Sequence, residues 1–396
     1  MNIYITGIGI VSGAGVGVAE NLQALRSGTT GVRRSSFTFN NGTPVYAAEV
    51  KHTNAELKNL LGLSEDARLS RTSLLGAVAA KEALGNLDKK LVADLPFISG
   101  TTIGGMDITE NFYKPYLADK ESADYSMLLT HDSGDTTEKI AALIGTQGFM
   151  TTISTACSSS ANTLMMGARM MRHGKYKRVL AGGVDAMAAF TLNGFRSLMI
   201  YDAEYCRPFD ASRSGLNLGE GAAYLLLETE DSLQETGNKP LAILSGWGNA
   251  NDAYHQTASS PDGNGATMAM QNALKCAGLQ PEQISYVNAH GTATPNNDLS
   301  ESKALINVFG GNVPKFSSTK AFTGHTLAAA GGVEAVYATL ALQYGALFPN
   351  LNFKTPIEEC GLVPVTEYSE GNSINYVLSN SFGFGGNNSS LIFGKI

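Results

Sequence analysis

At 396 residues the chain is longer than one ordinary small domain, so roughly two or three domain-sized units and a large core are expected. Only 16% of residues are charged and 44 are Gly, against roughly 25% charged in ordinary soluble domains, so part of the surface is expected to be covered by a partner, a second copy first of all. The formal net charge of −7 excludes the strongly basic footprint of a nucleic-acid binder.

Strand-like runs alternate with helical patterns along the whole chain, the signature of an α/β protein. Ile3, Ile5, Ile8 and Ile10 open it with a strand, and Met1 leads almost directly into that run. No stretch reaches the roughly 18 apolar residues that a membrane span needs, so a cytoplasmic location is expected. Gly7, Gly9 and Gly13 imitate a dinucleotide-binding turn. The third Gly is one position late and no acidic residue closes a second strand about 20 residues on, so no nucleotide cofactor is expected.

Residues 110–140 form the least regular stretch, mixing Asp119, Glu121, Asp124, Asp132 and Asp135 with Tyr113, Tyr116 and Tyr125. Beyond them, Ala161, Leu164, Met165, Ala168 and Met171 recur at helical spacing and mark one buried helix face. Further strands are expected at 179–181, 222–227, 286–288, 376–378 and 391–393, and a fully buried helix at 326–344. A strand running into Gly-Thr occurs at 98–101 and again at 288–292, and a Gly-rich turn precedes a closing strand at 219–221 and at 383–386. This weak self-similarity implies two related halves, 1–236 and 237–396, divided where Gly237, Asn238 and Pro240 break the pattern.

Cysteines stand at 157, 206, 276 and 360 with no C-x-x-C pair, which excludes a zinc cage or a compact disulfide framework. A free Cys is most often a packing residue, and that is the reading for Cys206, Cys276 and Cys360. Cys157 differs. Thr155-Ala156-Cys157-Ser158-Ser159-Ser160 lies between an apolar strand and the amphipathic helix, where unpaired N–H groups and the helix dipole are expected to lower the thiol pKa.

Two histidines have comparable settings. His290 follows a strand in Asn288-Ala289-His290-Gly291-Thr292, and His325 ends Lys320-Ala321-Phe322-Thr323-Gly324-His325, just before the buried helix. Strand ends are common places for reactive groups in α/β folds. His52, His131, His173 and His255 have settings that point to structure instead of chemistry.

The three motifs together, with Arg207-Pro208-Phe209-Asp210, Gly219-Glu220-Gly221-Ala222, Asp252-Ala253-Tyr254-His255 and Asn380 to Asn388, resemble the β-ketoacyl-acyl carrier protein synthases, elongating condensing enzymes of the thiolase superfamily. The resemblance spans essentially the whole chain in order. It implies a thiolase-like α/β fold with duplicated βαβαβαββ halves in a five-layered αβαβα core, the nucleophile in the first half and the two histidines in the second. It also implies decarboxylative condensation of an acyl thioester held on Cys157 with a malonyl-carrier thioester, His290 and His325 stabilising the developing charge.

By the same resemblance Lys320 is catalytic and Glu334 supports it, while the N–H groups of Cys157 and Phe384, with Gly383 beside them, form an oxyanion hole and Phe384 an acyl gate. The expected partners are an acyl carrier protein and a second subunit, identical or related. No metal or organic cofactor is implied beyond the carrier's phosphopantetheine arm. An acidic carrier calls for a basic rim, for which Arg68 and Arg71, with Arg33 or Arg34, are the candidates. Residues 110–140 depart from the family where it lines the acyl tunnel and the dimer interface, so a polyene or polyketide chain competes with a saturated one.

Two rivals fit less well. A non-catalytic chain-length subunit of this family lacks the nucleophile, whereas Cys157 is present here. A coenzyme A-dependent thiolase is expected to carry a second Cys near the C-terminal Gly-rich turn, where this chain has Phe384 and no Cys nearer than Cys360.

Overall fold

The computed structural model describes residues 1–39 and 41–396. Its organising element is the strand Tyr4–Ser12, which pairs along its length with Gly221–Glu228 and, at only two positions, Tyr4 with Ile243 and Ile5 with Ala242, with Ala242–Asn251. Outward from Tyr4–Ser12 the sheet continues through Gly221–Glu228, Arg178–Asp185 and Phe97–Gly100 to Met150–Ile153. Outward from Ala242–Asn251 it continues through Asn387–Gly394, Tyr376–Gly383 and Tyr286–Asn288 to Lys315–Ser317.

Counting the sheet strands within each half, and leaving aside the short hairpin strand Gly15–Val16, both halves run 3-2-4-5-1 from edge to centre. The repeated order explains why the Gly-Thr strand ends and the Gly-rich turns recurred in the sequence: each occupies the same place in its half.

Three hydrophobic cores separate the layers. The central core joins the helices Ser159–Arg172 and Ala330–Tyr344, through Leu164, Met165, Val333 and Val336, to strands of both halves. One outer core packs Arg71–Leu84 and Ser133–Ile144 on the first half; the other packs Asn264–Ala277 and Pro295–Phe309 on the second. Every residue from Ala330 to Leu342 is buried, as a helix with apolar or small residues on all sides must be. No helix among the described residues is long and apolar enough to cross a membrane.

The glycines that imitated a nucleotide motif serve this packing. A Cβ on Gly7 would stand 1.9 Å from the carbonyl oxygen of Ala83, and one on Gly9 2.0 Å from that of Ala79. Strand and helix therefore touch backbone to backbone, an approach that only Gly permits.

One docking candidate is overturned. The Arg71 guanidinium meets the Glu220 carboxylate through Nε and Nη2 at 2.6–3.0 Å and donates to the carbonyls of Val50 and His52, each at 3.1 Å. Arg71 is thus an internal clamp, its side chain 18% exposed, because a buried Glu220 needs a cation more than the surface does. Arg71→Met leaves that carboxylate unpaired and is expected to cost about 3–5 kcal/mol in urea unfolding. Arg68 is exposed, with Asp124 at 3.9 Å, and Arg68→Ala is expected to change stability by less than about 0.5 kcal/mol.

Candidate active site

Cys157 stands on a tight turn between the strand Met150–Ile153 and the helix Ser159–Arg172. Ala156 adopts φ 51°, a left-handed conformation that costs a non-glycine residue energy and must be held from outside. Side chains around the turn hold it: Ser159 Oγ accepts from the Thr155 N–H at 2.9 Å and donates to the Ala156 carbonyl at 2.6 Å. Asn387 Oδ1, just past the last Gly-rich turn, accepts from Ser158 Oγ at 2.7 Å and from Asn162 and Asn249 at 3.2 Å.

The backbone N–H groups of Cys157 and Phe384 both favour the Cys157 thiolate. Gly383 abuts the same turn, where a Cβ would lie 3.1 Å from the Cys157 nitrogen. The structure corrects the expectation of an acidic thiol. Burial pushes Cys157 up to about 12, outweighing the opposing pull of Lys320 and the two N–H groups. The resting nucleophile is a thiol, and its proton must leave as it reacts.

His290 is fixed through its backbone. Glu301 accepts from the N–H of His290 at 2.9 Å and of Gly291 at 2.8 Å, and Asn380 donates to it at 3.1 Å. Lys320 Nζ lies 3.2 Å from Nδ1 of His290 and is hydrogen-bonded to the Glu334 carboxylate. His325 accepts at Nδ1 from the Leu327 N–H at 3.3 Å. The two imidazoles cross edge to face with centroids 5.3 Å apart. With Nδ1 of each accepting, the proton of a neutral imidazole resides on Nε2. Burial and the Lys320 charge hold both rings well below the usual histidine range, so both are neutral Nε2–H donors near pH 7.

Two cavities meet at Cys157. One, of about 320 Å³, is lined by Cys157, His290, His325 and the hydroxyl-bearing Thr292 and Thr294. The other, of about 230 Å³, is apolar, with Ile103, Met106, Phe190 and Leu327 around Cys157. Phe195 and Phe384 line both, their rings stacked at 5.6 Å and 20°.

Cys157, His290, His325, Lys320, Glu334, Gly383 and Phe384 thus come together as the sequence motifs anticipated, whereas Arg68 and Arg71 lie elsewhere. Glu301, Asp185, Asn387 and Phe195 belong to the site and were missed. Asp185, Asn387 and Phe195 are distant in sequence from the residues they serve, and Glu301, though only 11 residues past His290, is a lone Glu within a helix that carries no local signal. Cys206 is buried, Cys276 and Cys360 are partly buried, and all are free. Among the described residues no group of three or more His, Cys, Asp or Glu is arranged to hold a metal ion.

Burial lifts Glu301 from 4.5 to about 7. A raised folded-state pKa means that the fold binds this proton more tightly than the unfolded chain does. Its contribution is therefore complete below about pH 4.5 and is lost as pH rises through about 7. Urea midpoints of Glu301→Gln between about pH 5 and 7 are expected to fall less steeply than those of the parent.

A buried cysteine beside paired N–H donors and two neutral imidazoles, where a cavity carrying histidines and hydroxyls meets an apolar one, defines a thioester-forming condensing enzyme on a thiolase-like fold. Residues 1–232 match the beta-ketoacyl synthase N-terminal domain and residues 241–354 the C-terminal domain, and the chain belongs to the β-ketoacyl synthase family. It is similar to 3-oxoacyl-[acyl-carrier-protein] synthase 2 of Staphylococcus aureus (33% identity; 100% of this chain, 98% of that one) and of Synechocystis sp. (33%; 99% and 98%). Among solved structures it is similar to the ishigamide ketosynthase/chain length factor (TM-score 0.94, 29% identity; 100% and 99% covered). It also resembles the ketosynthase ApeO in complex with its chain length factor ApeC from Xenorhabdus doucetiae (TM-score 0.87, 30%; 100% and 98%). The protein is an acyltransferase that forms carbon–carbon bonds in fatty acid or polyketide chain elongation.

Proposed function

We propose that the reaction is a decarboxylative Claisen condensation in which Cys157 carries the growing acyl chain. The Cys157 sulfur attacks the carbonyl of a carrier-bound acyl thioester, and the thiol proton leaves with the phosphopantetheine thiol. The tetrahedral oxyanion sits against the N–H groups of Cys157 and Phe384. Malonyl-carrier then enters the cavity lined by His290 and His325 and loses CO₂, leaving an enolate. The Nε2–H groups of His290 and His325 point their charge-stabilising capacity at the enolate oxygen, each oriented donor being worth about 3 kcal/mol. The enolate carbon attacks the acyl carbonyl on Cys157, the C–S bond breaks, the β-ketoacyl-carrier departs, and the sulfur takes up a proton.

The observation that carries this reading is that Nδ1 of both imidazoles is committed within the protein. A hydrolase would instead need one His with a free acceptor to serve as base for the Cys. Lys320 and Glu334 act as a pair on His290, and Phe384, stacked on Phe195, separates the carrier arm from the acyl cavity. The phosphopantetheine arm is the one cofactor-like group that the mechanism requires.

The same reading makes a phosphopantetheine-bearing carrier protein the partner, with Arg68 as the remaining docking candidate of the pair first considered, and places the enzyme in the cytoplasm. A related ketosynthase-like subunit is the preferred second partner, because the ApeO structure is of a ketosynthase with its chain length factor. The chain folds as two halves, 1–236 and 237–396. The rings of Phe190, Phe195 and Phe384 along the apolar cavity favour an unsaturated or polyketide chain over a plain saturated one.

Intact mass spectrometry with a panel of saturated and polyenoic acyl-carrier donors tests this. Acylation, discharged by malonyl-carrier as a lengthened β-ketoacyl product, is the expected result, and the panel names the chain. Absence of acylation with every donor, alone and with a co-expressed chain-length subunit, refutes it.

A further inference from the structure

The strand Arg178–Asp185 ends in a carboxylate with no solvent exposure and, among the described residues, no ion-pair partner. Asp185 instead accepts five hydrogen bonds: from the hydroxyls of Thr101 (2.6 Å) and Thr102 (2.5 Å), and from the N–H groups of Thr102 (2.9 Å), Ile103 (3.1 Å) and Ala328 (2.9 Å). Burial raises the Asp185 pKa, and the donors from two separate segments oppose that pull by solvating its oxygens.

Those two segments are functionally distinct. Thr102 and Ile103 form one wall of the apolar cavity; Leu327, adjacent to Ala328, forms another. Leu327 has φ 50°, a left-handed conformation that costs a leucine about 1–2 kcal/mol and has to be imposed by its surroundings. It is pinned on both sides, its own N–H on Nδ1 of His325 and the next N–H on Asp185. One carboxylate therefore fixes the spacing of the cavity walls and the turn that dictates the His325 tautomer.

Resting on the condensation reading above, we propose that Asp185 is a positioning residue that couples the acyl cavity to His325. A chain of the right length leaves the Thr102–Ile103 and Leu327 walls where the turn delivers the Leu327 N–H to His325. A chain that displaces either wall also displaces that N–H. Chain fit is then read in the decarboxylation and condensation steps as well as in loading.

The test separates the two half-reactions. Cys157 acylation and condensation with malonyl-carrier are measured for donors of increasing chain length in the wild type, Asp185→Asn and Thr102→Val. Asn preserves the volume but offers one acceptor and an NH₂ that opposes the N–H donors. In Asp185→Asn, condensation kcat is expected to fall roughly 10- to 100-fold, the scale of a small misplacement of a catalytic group. Acylation by short donors is expected to stay within a few-fold, so that the ratio of condensation to acylation loses its dependence on chain length. Thr102→Val removes a single donor and is expected to shift the same ratio less, in the same direction.

A folded Asp185→Asn enzyme with the parent's ratio at every chain length overturns the proposal, as does a loss shared equally by both half-reactions at all lengths. Should Asp185→Asn not fold, Thr102→Val decides: a shifted ratio supports the coupling and an unchanged one overturns it. A wild type that does not acylate refutes the condensation reading itself, which keeps the two failures distinct.

Discussion

Cys157→Ala is expected to abolish acyl loading and to lower condensation by roughly 10⁴-fold or more, the scale on which loss of a nucleophile acts. Decarboxylation of malonyl-carrier is expected to persist. The reason is geometric: the two Nε2–H donors are set by Lys320 and by the Leu327 N–H, neither of which depends on the sulfur. Intact mass spectrometry gives the loading result and CO₂ release from labelled malonyl-carrier gives the second. A variant that loses both activities together would show that the thiol and the imidazoles do not act in separable steps. Because burial holds the resting thiol up at about 12, alkylation of wild-type Cys157 by iodoacetamide is expected to be slow at neutral pH and to rise with pH.

Lys320→Met is the second large effect, and it reaches stability and chemistry together. Glu334 is fully enclosed, and burial already lifts it to about 7 with Lys320 beside it. Removing the cation leaves a buried carboxyl without its partner, a loss expected to cost about 3–5 kcal/mol at pH 8 in urea unfolding. The sign of the pH dependence follows. Without Lys320 the carboxyl is held higher still, so it is neutral at low pH, the deficit is smallest there, and it grows as pH rises.

In the same variant His290 loses the group opposite Nδ1, and its proton is free to move to that nitrogen. Malonyl-carrier decarboxylation is expected to fall roughly 10²- to 10³-fold, as for loss of one oriented donor. Lys320→Met combined with Glu334→Gln separates the two effects, because it removes the stranded charge without restoring the tautomer. Stability is expected to return and activity to stay low. Recovery of both would assign Lys320 a purely structural role.

The residues whose settings are local were legible in advance. The Cys157 turn is a strand, a small-residue bend and an amphipathic helix in consecutive order, His290 follows the end of a strand, and His325 stands just before the buried helix. Glu334, on the buried helix that follows His325, was indicated by the family resemblance and not by its local setting. The settings that failed are those decided by what packs against a residue from elsewhere. Arg71 opens a helix with Glu65 and Asp66 as its nearest preceding carboxylates, yet Glu220, 149 positions away, turns it inward. The Cys157 thiol sits next to a helix N-terminus, but its burial in the folded chain reverses the expected shift.

By itself, then, the amino-acid order determined the α/β pattern, the repetition between halves and the identity of the reacting groups, because strand period, helix period and motif spacing are properties of short stretches. Which nitrogen of each imidazole carries the proton, how acidic the thiol is, and which carboxylates hold the turns in place were decided only in the tertiary structure. Those properties depend on burial and on hydrogen-bond partners across the sheet and the central helices. Asp185 reaches Ala328, 143 residues on, by such a contact, and no local reading of either segment contains it.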